Sequence, residues 1–249
     1  MRTQFFACLL ALSLAAASLP GSAQDVQTIL SKVAAAYKNA KSYQAQASVS
    51  ETRLIGGQQQ KRSSTISTKY KAPNKMVTIV QGSDNLQMYS DGKTMYIYSP
   101  KDKEYMKMPA PASLAQAGGM SSIGSGDPSQ IGVQLQAIFG NAGKKLPDRN
   151  IGGKPVFVLQ ATQSGQSQDG KGSFNVTATA FIDKATYMLR QLSLQATQTQ
   201  GAQKVAQTIT VTFASQQLNP SLPDSVFAFK PPAGAKERQM PAPGSAPPR

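Results

Sequence analysis

The side chains that most hydrolases and transferases depend on are scarce in this 249-residue chain. It has no histidine, which removes Ser-His-Asp and Cys-His relays and the commonest metal ligand. Its one cysteine, Cys8, lies in a segment expected to be cut away, leaving no thiol nucleophile and no thiolate for a metal. Glu51 and Glu104, on strand-like segments, are the carboxylates to test as a glycosidase-type pair, and nothing in the sequence brings them together. Ser90-Asp91-Gly92-Lys93 has a nominal serine-lysine spacing. That chemistry needs a helical turn, whereas Asp-Gly marks a hairpin tip. Gly118-Gly119 lacks the lysine-serine ending of a phosphate loop. The expectation is a protein that is not an enzyme and takes no metal or cofactor.

Methionine is the more informative residue. Met76, Met88, Met95, Met106 and Met108 fall within 33 residues, several in alternation with Leu86 or Ile97. A flexible, polarizable thioether suits a surface that must accept varied apolar shapes. Filling an ordinary core is the alternative. Met76, Thr78, Leu86, Met88, Met95, Ile97, Met106 and Met108, with Leu135, Ile138 and Phe139 from a helix, are the candidate lining of a hydrophobic cavity.

The elements that would position them follow from periodicity. Val26, Ile29, Leu30, Val33, Tyr37 and Ala40 recur at helical spacing behind Asp25, a suitable N-cap, so a helix is expected over 25–41. From Tyr43 the period changes to two, and short antiparallel strands are expected over 43–50, 61–70, 75–81, 86–90, 94–99 and 104–108. Gly56-Gly57, Ser83-Asp84-Asn85 and Asp91-Gly92 supply turns. Between Pro109 and Asn141 the strands stop, and Asp127-Pro128 opens a helix bearing Ile131, Leu135, Ile138 and Phe139. This insertion is a lid or a packed crossover. Strands resume over 155–162, 173–183, 187–197 and 204–214, with turns at Asp169-Gly170 and Gln200-Gly201, and Phe227 and Phe229 suggest a short last strand. The fold expected is mainly β (α+β): a strongly curved antiparallel sheet forming an incomplete β-barrel, covered by the N-terminal helix and a mid-chain helical lid.

Residues 1–23 have the layout of a secretory signal peptide: Arg2, an apolar run over 5–17, then small residues before Gln24. The run is too short to span a bilayer. The mature part is expected to be one domain over 24–232, working in the periplasm as a monomer, with a Pro-rich disordered tail over 233–249. A formal net charge of +14 favours anionic partners. The lysines are scattered without interleaved aromatics, which argues against nucleic acid and for transient contact with an anionic membrane surface.

Several segments resemble the LolA-type periplasmic carriers of outer-membrane lipoproteins and the wider lipoprotein-sorting-like group. Ser90-Asp91-Gly92-Lys93-Thr94-Met95-Tyr96-Ile97-Tyr98-Ser99-Pro100 is similar to the family's SDGKTLWFYNP segment. Lys71-Ala72-Pro73-Asn74 resembles its KRPN strand break, and Ser42-Tyr43-Gln44-Ala45 its SF.A segment. Phe227-Ala228-Phe229-Lys230-Pro231-Pro232-Ala233-Gly234 resembles the closing F.F.PP.G element. The resemblance implies a half-barrel whose mouth is closed by helices and which shields acyl chains between membranes, with Met76 and Thr78 at positions that line the cavity. The family's arginine before the proline, associated with holding the lid shut, is replaced by Ala72, and the neighbouring Lys71 would point to the other face.

The expected function is therefore a carrier or chaperone for the acyl chains of lipoproteins or lipids, exchanging cargo with an inner-membrane transporter and an outer-membrane acceptor. The alternative is a lipid- or lipoprotein-sensing regulatory module of the same fold, as in MucB/RseB-like domains. An envelope hydrolase, the third class, lacks a nucleophile.

Overall fold

A computed structural model describes residues 25–82, 85–114, 126–166, 172–200 and 203–238. The expected export segment with Cys8, Ser83 and Asp84, the glycines at 118, 119 and 124, Asp169 and Gly170 of an expected turn, Gly201 and the chain from 239 lie outside the described residues.

Helix α1 (Val26–Lys38) begins as its sequence requires: the Asp25 side chain accepts a hydrogen bond from the Thr28 amide at 2.6 Å. Its apolar stripe of Ile29, Leu30, Val33 and Tyr37 is at most 1% exposed. Burial of each such side chain stabilises the fold by about 1.5–3 kcal/mol.

The strands form two meanders. The first runs β1 (Ser42–Ile55), β2 (Gln58–Lys71), β3 (Lys75–Gly82), β4 (Leu86–Asp91), β5 (Thr94–Ser99) and β6 (Glu104–Pro109). The second, after helix α2 (Ser129–Phe139), runs β7 (Lys144–Ile151), β8 (Lys154–Gln166), β9 (Gly172–Asp183), β10 (Leu189–Gln200) and β11 (Gln203–Leu218). Long antiparallel pairing of β1 with β11, from Tyr43↔Leu218 to Ile55↔Val205, joins them into one sheet. A two-residue strand β12 (Lys236–Glu237) adds parallel to β6, giving the order β12-β6-β5-β4-β3-β2-β1-β11-β10-β9-β8-β7.

This order decides what the mid-chain insertion does. β6 lies one strand from one edge and β7 is the other edge, so the chain between them must traverse the whole sheet. Within that stretch, helix α2 lies over the apolar face beside α1. Ile131, Leu135 and Phe139 of α2 join α1, Tyr43, Ala45, Tyr70, Leu159, Ile182 and Phe213 in one core cluster.

The mainly β, antiparallel, helix-covered architecture is the one expected. The strong curl is not: the sheet is open, with β12 and β7 as unpaired edges, and is not strongly rolled. Two helices lying across the apolar face bury it without the edges having to approach one another. Strand β7 was not legible because Lys144–Ile151 has no alternation and contains Pro147. Proline is tolerated there because β7 is an edge strand whose register breaks between Leu146 and Arg149.

The C-terminal segment also departs from expectation. Phe227 sits in a 3-10 turn (Asp224–Phe227) rather than a strand. Residues 233–238, assigned by composition to a disordered tail, are ordered: backbone bonds from Lys236 N to Lys103 O and from Arg238 N to Tyr105 O hold them to β6. Phe227, which is fully buried, and Phe229 hold this segment to the sheet and so bring β12 into pairing range.

Candidate functional site

Strand register gathers the candidate lining residues on one face. Met76 pairs with Ser90, Ser90 with Met95 and Met95 with Met108, a row across β3 to β6. One pleat further, Thr78, Met88, Ile97 and Met106 form a second row, and Val80 with Leu86 begins a third. The first row continues through Tyr70 to Tyr43, which packs under α1, so this is the helix-covered face.

Coverage falls off along it. Met76, Thr78, Met95, Leu135 and Phe139 are buried. Met88, Met108 and Ile138 are half-buried and pack against the core. Leu86, Ile97 and Met106 are half-buried at the far side of the core. Half-buried Ile66 and Val80, cross-strand partners, and Val49 with its partner Val211 extend the same apolar strip. All eight strand candidates therefore share one surface; α2 contributes its three from above.

The position of α2 is held from three sides. Gly132 lies so close to α1 that a Cβ there would stand 2.7 Å from Ala34 Cα. Gln27 of α1 donates to the Gly140 carbonyl and accepts from Gln136 at 3.2 Å. Asp127, before the helix, lies beside the Tyr70 phenol of β2, which burial and then the Asp127 charge push far above its ordinary pKa. Asp127 also accepts from the Ser129 amide at 2.9 Å, the bond expected of a capping side chain one residue before Pro128.

The other sequence candidates fall apart on inspection of geometry. Glu51 accepts from Gln207 at 2.7 Å, whereas Glu104 stands five strands away beside Arg238 at 3.7 Å. Ser90 donates to the Asn74 carbonyl at 2.6 Å, and Asp91 accepts from the Lys93 and Thr94 amides at 2.7 and 2.8 Å. Those amide bonds hold the Asp91 carboxyl below its usual pKa and give it a turn-closing role. Lys71, beside Ala72, points to the opposite face and binds Asp224 at 2.7 Å. Among the described residues no three His, Cys, Asp or Glu side chains gather as a metal site, and no helix is long and apolar enough to cross a membrane.

The opposite face carries a second cluster, which the strand pattern alone did not reveal. Rings of Tyr89, Tyr96, Tyr98 and Tyr105 surround Phe229 with centroids 5.0–5.9 Å away. Such aromatic pairs add about 0.5–1.5 kcal/mol each beyond the area they bury.

Fold and site thus define an open antiparallel sheet with one methionine-rich apolar face, partly roofed by two helices. The chain belongs to the family described as "Predicted periplasmic protein (DUF2092)", which it matches over residues 26–118 and 186–240. Its localisation is that of the family, the periplasm. No protein of curated function matches the sequence. Among solved structures, LprF from Mycobacterium bovis is similar at 13% identity, covering 79% of this chain and 95% of that one, with a TM-score of 0.39. A LolA superfamily protein from Nitrosomonas europaea is similar at 13% identity over 82% of this chain and 98% of that one, with a TM-score of 0.31. MucB is similar at 10% identity over 82% of this chain and 62% of that one, with a TM-score of 0.31.

Proposed function

We propose that this protein is a non-enzymatic periplasmic carrier that holds acyl chains of a lipid or lipoprotein against the methionine-bearing face of its sheet. The observation that supports the reading is the graded coverage of that face: Met76 and Met95 are buried in the core cluster, while Leu86, Met88, Ile97 and Met106 in adjoining rows are only half-buried. A hydrocarbon tail laid along this strip would complete the burial. At about 0.8 kcal/mol per methylene, a sixteen-carbon chain gains on the order of 10 kcal/mol before the costs of association. Methionine side chains adapt to such a tail without a fixed shape.

Delivery needs contact with a membrane, and the β1–β2 hairpin has suitable chemistry. Leu54 and Ile55 at its tip are 41% and 40% exposed, two of the few large apolar side chains left in water among the described residues. Arg53, Lys61 and Arg62 beside them are also exposed. Aliphatic side chains within a cationic collar favour an anionic bilayer surface.

Uptake of a fluorescent fatty acid or lipopeptide by the delipidated mature protein tests the reading. Wild type is expected to saturate, and Met88→Asp and Met106→Asp to weaken uptake at least about tenfold, because a carboxylate on an apolar contact surface must be desolvated. No uptake by wild type rejects the proposal. Recovery of a signalling membrane protein instead of lipid or lipoprotein from the envelope would favour the sensing module.

A further inference from the structure

At the end of the sheet where β9 turns into β10, a cavity of about 380 Å³ opens against the start of β8 and the bulged stretch of β11. None of the methionine-face candidates borders it. Its wall mixes apolar Pro155, Met188 and Phe213 with charged Lys154, Asp183 and Arg190. The size lies within the range of small-molecule sites, about 300–1,000 Å³.

Arg190 is the unusual member. It occupies the extra position where the β9–β10 register shifts between Leu189 and Gln191, so its side chain is freed from the ladder's alternation. Its Nε is buried and has no hydrogen-bond partner among the described residues. Its Nη1 stands 4.0 Å from Asp183 Oδ2, too far for a hydrogen bond. The other Asp183 oxygen already accepts from the Ala185 and Thr186 amides, both at 3.0 Å, and closes the turn. A guanidinium is a planar fork suited to two oxygens of one anion, and this side chain lines the cavity with 28% of its surface exposed. With Arg190 and Lys154 against the single carboxylate of Asp183, the charged wall is net cationic.

We infer that this cavity binds a small amphipathic anion, a carboxylate or phosphate ester with a short apolar body, whose oxyanion Arg190 holds. Met188 and Phe213 contact the apolar body, and Lys154 adds a second positive charge near the mouth. None of its wall residues is a proposed acyl-contact residue, so the inference does not depend on that proposal.

Calorimetric titration of the whole mature chain with hexanoate, hexyl phosphate and hexanol tests the inference. At least one anion is expected to saturate a single site, while hexanol at equal concentration does not. Whichever anion binds tighter identifies the headgroup as carboxylate or phosphate. Arg190→Gln is expected to weaken binding at least about tenfold, as loss of a charge-assisted pair does. Ser215→Trp, at an exposed position on the cavity wall, is expected to block it while the circular dichroism stays that of wild type. Met88→Asp, on the methionine face, is expected to leave it unchanged, which separates this site from the proposed carrier surface. Hexanol binding as well as the anions, no saturable anion binding, or wild-type affinity in Ser215→Trp overturns the assignment. Should Arg190→Gln fail to fold, Ser215→Trp and Lys154→Gln decide alone.

Discussion

Asp224 illustrates what single residues do here. It lies in the turn after β11 and is far in sequence from Lys71 of β2 and Lys75 of β3, yet both ammonium groups reach its carboxylate at 2.7 Å. Their hydrogen bonds hold its pKa down at about 2. A folded-state value below the unfolded one, about 4, means the pair's stabilisation is present above pH 4 and fades as the pH falls through 2. Wild type is therefore expected to melt slightly above Asp224→Asn at neutral pH, with the difference shrinking between pH 4 and 2 and in high salt. Parallel thermal melts check this; a gap that persists below pH 2 would contradict it. The methionines are the converse case. Their alternation on β4, β5 and β6 was legible, because period-two spacing alone assigns them to one face. Which of them are covered was not, because that depends on where α2 crosses.

Among the elements, α2 depends on a contact that sequence cannot announce. Gly132 looks unfavourable inside a helix, where alanine is better by about 1 kcal/mol. Here an added Cβ would meet Ala34 at 2.7 Å. Gly132→Ala is therefore expected to lower stability by about 1–2 kcal/mol through overpacking, measured by chemical denaturation. Val133→Ala, at an exposed position of the same helix, is expected to change it by less than about 0.5 kcal/mol. β7 was missed for a related reason: an edge strand with a bulge needs only half its backbone paired, so neither alternation nor absence of proline is enforced. The start of α1 was plain from Asp25 because a cap is a local hydrogen bond.

At the scale of the molecule, the C-terminal segment closes the far side of the sheet. Phe227 is fully buried and Phe229 lies among four tyrosines, while β12 pairs with the otherwise free edge of β6. Phe227→Ala is expected to destabilise by about 3–5 kcal/mol. Truncation after Pro223 is expected to lower the melting temperature further and promote aggregation, since it bares an edge strand. Light scattering and calorimetry of the truncated chain check both. What sequence determined by itself is everything carried by local period, caps and turns: two helices, most strands, and the shared face of eight candidate residues. Pairing of β1 with β11, the traverse of α2 between opposite edges, the docking of Phe229 and the bulge position of Arg190 join residues more than a hundred positions apart or depend on one extra residue in a ladder. Such contacts leave no periodic mark, because they are selected by the burial of whole surfaces rather than by the conformation of any one segment.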